Sequence, residues 1–168
     1  MRLFGKKSAA FFLIVLMIGA GCAKSDDDVY HDMLLDGVAS LNLDKPEKAL
    51  GEFSSAIDFN PRKPGGYLGR GNALNTMGRH HEAIEAYNQA LAIDPEMANA
   101  YVNRGVAHAR LDRHEKAAAD FKKGLELDPE IDDPPGFVRR LFEDIPDRDK
   151  GIRKYLEDYE KLKEKTGP

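Results

Sequence analysis

Between residues 30 and 129 the apolar positions follow helical rather than strand spacing, and their register returns every 34 residues. Gly37, Gly71 and Gly105 keep that interval, as do Ala49, Ala83 and Ala117. So do the aromatics Phe53, Tyr87 and Phe121 and the prolines Pro61, Pro95 and Pro129. In the best-preserved copy Tyr101, Gly105 and His108 recur every three or four residues, which predicts a helix from about Ala98 to Leu111. Ala117, Phe121, Gly124 and Leu125 repeat that spacing and predict a second helix from about His114 to Leu127. A fixed period of this length is the mark of a stacked repeat, in which no single unit can bury its apolar face alone.

Each conserved type has a packing reason. Gly105 and Ala117 are expected on facing sides of the two helices, where small residues let the backbones approach, with Phe121 filling the space beside them. Ala56, Ala90 and Gly124 are expected to admit the first helix of the following unit. Pro61, Pro95 and Pro129 end each second helix, because proline lacks the donor and its ring clashes with the preceding turn. After the third copy Pro134-Pro135-Gly136 breaks the pattern. Phe137, Val138, Leu141, Phe142 and Ile145 then share one helical face, and a last helix is predicted from about Asp147 to Lys165. These segments are expected to cap the end of the stack over residues 132–168.

The aromatic–Gly–Ala–aromatic–small–Pro frame from Tyr30 to Pro129 resembles the tetratricopeptide repeat (TPR). Tyr67 and Tyr101 stand where that family favours a large aromatic, while the first copy has Met33 there and Ser40 in place of a larger packing residue. Asp44 and Asp112 occupy the turn position held by Gly78 in the second copy. The resemblance implies an all-α right-handed solenoid of three helix-turn-helix units, about 30–63, 64–97 and 98–131, within residues 29–129 and their flank. It also implies a concave face lined by the first helix of each unit. Carried over by position, that face is Leu34 and Val38 (with His31, Leu35 and Leu41) in the first copy and Leu68, Asn72 and Asn75 in the second. In the third it is Asn99, Val102, Asn103, Val106 and Arg110. Asparagine amides can donate to and accept from an extended peptide backbone. Some family members clamp a terminal carboxylate with lysine and arginine in the third unit. Asn99 and Asn103 stand there instead, so an internal peptide segment or a folded protein partner is expected.

The first residues are a different object. Arg2, Lys6 and Lys7 precede an apolar run from Ala9 to Ile18 and the small residues Gly19-Ala20-Gly21, the layout of a secretory signal over residues 1–21. Cys22, the only cysteine, then resembles the lipidated residue of a bacterial lipoprotein, although Gly19 stands where that family favours leucine. The resemblance implies an acylated Cys22, a polar tether over 22–28, and a lipid anchor in the cell envelope. Ala23 after the cysteine suits sorting to an outer membrane facing the periplasm. Loss of residues 1–21 would remove three of 25 basic residues and none of 29 acidic ones, leaving a net charge of −7. Nucleic acid is not expected as a partner of so acidic a chain.

No constellation argues for an enzyme. Two histidines one helical turn apart with a glutamate between them would suggest a zinc hydrolase, but His80, His81, Glu82 and His114-Glu115 lack that spacing. His80 and His114 are equivalent repeat positions expected to face solvent. Gly65, Gly66, Gly69 and Gly71 lack the preceding strand and the glycine order of a dinucleotide loop. The expectation is therefore no cofactor, no metal and no catalytic residue. It is a membrane-tethered adaptor that holds protein partners. The alternatives are a self-assembling structural envelope lipoprotein, through terminal helices or stack ends, or an envelope metal-dependent enzyme.

Overall fold

A computed structural model describes residues 24–131 and 151–166. The expected signal segment, Cys22 and residues 132–150 between the third repeat and the last helix lie outside the described residues. Seven helices are described: α1 Asp26–Asn42, α2 Pro46–Phe59, α3 Pro64–Thr76, α4 His80–Ile93, α5 Ala98–Arg110, α6 His114–Leu127 and α7 Gly151–Thr166. No strand occurs among the described residues. The bounds expected for the third unit hold to within a residue. The polar tether ends earlier than expected, because Asp26–Asp28 form the first turn of α1. Ser25 starts it: its hydroxyl accepts from Asp28 N–H at 3.1 Å, and the Asp28 carboxylate accepts from Ser25 N–H at 3.1 Å, a reciprocal capping box.

The three inter-helix turns are built alike. Asp44, Gly78 and Asp112 all adopt positive φ, at 56°, 75° and 56°. The next amide in each turn reaches back five residues: Lys45 to Ser40, Arg79 to Leu74 and Arg113 to His108, each at 2.9 Å. This Schellman geometry satisfies the carbonyls orphaned at a helix end and requires one left-handed residue. Glycine meets that demand freely; aspartate meets it at a conformational cost.

Helices pair in order, α1 with α2, α3 with α4, α5 with α6, and each second helix then packs on the next first helix. The repeat glycine seats the aromatic of its own unit. A Cβ at Gly71 would lie 2.4 Å from the Tyr87 ring, and one at Gly105 would lie 2.8 Å from Phe121 and 3.2 Å from the Ala117 carbonyl. Gly124 corrects the expectation made for it: its missing Cβ faces Val102 and Ala98 of its own unit, not a following helix. Between units the small residues belong to the first helix, where Gly66 meets Ile57 and Gly69 meets Phe53.

The far end of the stack is covered by α7. Ile152 is fully buried with Val102, Val106 and Phe121, and Tyr155 packs edge-on against Phe121 at 5.1 Å between centroids. Tyr155 also bonds His114 Nδ1 at 2.9 Å, and burial pushes its phenol up to about 12. Lys122 with Glu160 adds an exposed ion pair. This is the capping role expected of the last helix. Its expected start at Asp147 lies outside the described residues, as do Phe137 to Ile145.

Candidate functional site: the inner face of the first helices

Curvature follows from which helices touch. Neighbouring first helices, α1 with α3 and α3 with α5, come into contact, while neighbouring second helices do so far less. The first helices therefore form the inner side of the arc, and residues on their free faces define the candidate surface.

The ten positions expected to line it divide into two groups. Val38 is 41% exposed, Asn99 is exposed, and Leu34, Leu68 and Arg110 are half-buried. These five keep accessible surface, as a lining residue must. His31 is exposed with them, whereas Leu41 is buried. The other five require correction as surface residues: Asn72, Asn75, Val102, Asn103 and Val106 are at most 6% exposed. Val102 and Val106 belong to the apolar core of the third unit, closed over by Ile131 and Ile152.

The asparagines are spent on one another. Asn72 Oδ1 accepts from the Tyr87 hydroxyl at 3.0 Å and from Asn103 Nδ2 at 2.8 Å, which ties α3, α4 and α5 together. Burial pushes the Tyr87 phenol well above its ordinary range, so it remains a donor. The same three repeat positions at the preceding junction are Phe53, Val38 and Gly69, with no polar atom among their side chains. One junction is thus polar and closed by hydrogen bonds; the other is apolar, and leaves Val38 open. A bonded buried amide is tolerated and an unbonded one is costly, so the polar junction fixes the pairing of units two and three.

His80 also departs from expectation. It is half-buried, and because Asn75 Oδ1 can only accept, His80 Nδ1 is the donor of their 2.6 Å bond. Burial lowers the His80 pKa, and the nearby Arg110 and His81 lower it further. His114, its repeat equivalent, is exposed as expected. Among the described residues no group of three His, Cys, Asp or Glu side chains is placed to hold a metal ion. No described helix is long and apolar enough to cross a membrane.

Tyr30 is an anchor between units one and two whose role sequence reasoning missed. Its hydroxyl accepts from Gly66 N–H at 2.8 Å and donates to the Lys63 carbonyl at 3.3 Å, so it satisfies an otherwise unpaired amide at the start of α3. The period gave no signal for it, since Pro64 and Ala98 occupy the equivalent positions. The Tyr87–Asn72–Asn103 triad did carry a signal: a hydroxyl and two amides appear together in the copies where the others are apolar or glycine.

Residues 71–112 match the family described as TPR repeat, and residues 98–131 match the family described as tetratricopeptide repeat. The TPR domain of Arabidopsis OM64 is similar at 27% identity, covering 70% of this chain and 97% of that one, with a TM-score of 0.61. The Sgt2 TPR domain from Aspergillus fumigatus is similar at 19% identity, covering 82% of each chain, with a TM-score of 0.64. The second TPR domain of human RPAP3, solved in complex with an HSP70 peptide, is similar at 18% identity over 78% of this chain and 98% of that one, with a TM-score of 0.59. No curated protein matches the sequence.

Proposed function

On an all-α fold of tetratricopeptide repeats, we propose that this chain is a protein-interaction adaptor, tethered to a bacterial envelope membrane through lipidated Cys22, whose inner face holds a peptide segment of a partner. The observation that carries the binding reading is the open apolar junction between units one and two. Leu34 and Val38 on α1 and Leu68 on α3 remain accessible, with Asn99 and Arg110 on the polar rim beyond the closed asparagine triad. Accessible apolar side chains beside polar groups suit a short segment that anchors one apolar side chain and bonds its backbone. The peptide held by the similar RPAP3 domain supports this use of the fold. Three units make one modest groove, enough for one such segment.

The anchor rests on the sequence: a basic start, an apolar run, and a single cysteine after small residues. Two or more acyl chains, at about 0.8 kcal/mol per buried methylene, would hold the chain on a bilayer. Cys22→Ser should abolish fatty-acid labelling and release the protein from membranes, and unchanged retention would contradict the anchor. The double variant Val38→Glu with Asn99→Glu should reduce partner recovery at unchanged thermal stability, since both side chains face solvent. Equal recovery would place binding elsewhere. Asn72 and Asn103 are unsuitable for that test, because replacing them would unfold the junction they close.

A further inference from the structure

The stack has a second end, and among the described residues it is open. In the interior, one face of each first helix is covered by the second helix of the preceding unit. On α5 that face includes Ala100, Asn103 and Ala107, exposed by 0%, 3% and 0%. On α3 it includes Gly66, Gly69 and Ala73, all buried, with Phe53 of α2 against Gly69 and Ala73. The equivalent face of α1 has no preceding unit among the described residues. Leu35 is 51% exposed, Leu43 is 66% exposed, and Ala39 between them is exposed. Leu35 thus belongs to the end of the stack rather than to the inner groove expected for it.

The structure shows twice what covers this face, and α1 differs from those cases in two respects. Leu35 stands where Gly69 and Asn103 stand, so the large partner of the contact has moved to the first helix. A covering helix needs a small residue opposite it, where α2 and α4 carry Phe53 and Tyr87. Charge is inverted as well. Asp36 occupies the position of Arg70, which bonds Gln89 of its own unit, and of Arg104, which pairs with Asp120 of its own unit and also reaches across the unit boundary to Asn88 Oδ1 at 2.6 Å. Asp36 is exposed, and with the charge of that position reversed it suits a cation on a covering helix, at the position from which Asn88 meets Arg104. The whole of α1 carries five aspartates and neither lysine nor arginine. Lys24 and Lys63, from outside it, pair with Asp32 and Asp27.

We propose that the open face of α1, centred on Leu35, Asp36, Ala39 and Leu43, docks a basic amphipathic helix of a partner protein in the place a preceding second helix would fill. The occupant carries a small residue against Leu35 and arginine or lysine against Asp36. A second copy paired through the same face would set aspartate against aspartate, a repulsion rather than a contact. This surface lies at the end of the arc and is separate from the inner groove, so the two can be occupied by different partners.

The test uses the chain as it accumulates in cells, solubilised in detergent. The probe is a stapled helical peptide copying His80–Ile93 with Tyr87→Ala and Asn88→Arg, and with the exposed Glu82→Lys and Glu85→Lys to make it basic, followed by fluorescence anisotropy. The peptide should bind, with affinity falling as salt is raised. Asp36→Arg in the chain should weaken binding at least tenfold, and a peptide carrying Asn88→Asp instead should restore it. Leu35→Ser should weaken binding without changing the melting temperature, since the side chain is exposed. The proposal is overturned if the basic peptide does not bind. It is also overturned if the charge exchange fails to restore binding, or if light scattering shows that copies of the chain occupy the face themselves.

Discussion

Gly69 and Gly51 both sit within helices, yet alanine at the two positions should change stability in opposite directions. In a helix interior glycine is about 1 kcal/mol less favourable than alanine, so backbone preference alone favours both replacements. At Gly51 nothing lies within 4 Å of a new Cβ, and the gain should be realised in full. At Gly69 the new Cβ would lie 2.2 Å from Phe53 Cδ1. The ring cannot recoil, because Gly37 bounds it elsewhere, where an added Cβ would lie 2.6 Å from it, and Phe53 is 1% exposed. Forcing one methyl into so close a contact costs roughly 1–3 kcal/mol or more, which exceeds the gain in propensity. The expected outcome is that Gly51→Ala stabilises by about 1 kcal/mol and Gly69→Ala destabilises by about 1–2 kcal/mol. Urea unfolding followed by circular dichroism reads both, with melting shifts of roughly 2–4 °C per kcal/mol in a chain of this size. A Gly69→Ala variant as stable as Gly51→Ala would refute the claim that Phe53 is wedged between units one and two.

The turns offer a complementary pair. Gly78→Ala should cost about 1–2 kcal/mol, from left-handed backbone alone, because no atom lies within 4 Å of the added carbon. Asp112→Gly should recover several tenths to about 1 kcal/mol by the same logic, measurable in the same urea titration. Acid should weaken the fold before its carboxylates protonate. Burial holds the pKa of His80 below its ordinary value, and burial does the same for His108 despite the opposing charge of Asp120. The unfolded chain then binds the proton more readily, so this stability is fully present above the ordinary histidine pKa of about 6.5. It is lost as pH falls from there through the lowered folded values. Unfolding free energy should decline between about pH 7 and 5.5, and His80→Gln with His108→Gln should flatten that slope. An unchanged slope would show that neither imidazole is held neutral.

What could be read in advance was whatever the period repeats. Gly105, Ala117 and Phe121 return in every copy in one form or another, so their mutual packing followed from spacing and size. The inner face was harder, because position on a helix does not distinguish a residue that faces a ligand from one that faces the next unit. Asn72 and Asn103 look like peptide-binding amides until Tyr87 is seen to supply the hydroxyl that completes their bonds. Val38 remained open because Gly69 brings no side chain, and Phe53 no polar atom, to the same junction. Tyr30 was illegible by periodicity, since it does a job in the first unit that no equivalent residue repeats.

The most direct test of the adaptor reading is photocrosslinking in cells from the inner face. A photoreactive residue placed at the exposed Asn99 should yield one discrete protein adduct that is lost when Val38 is changed to glutamate. The same probe at Glu85, exposed on the second helix of unit two, should yield none. Adducts of equal strength from both positions, or none from Asn99 alone, would contradict a partner held in the groove of the first helices.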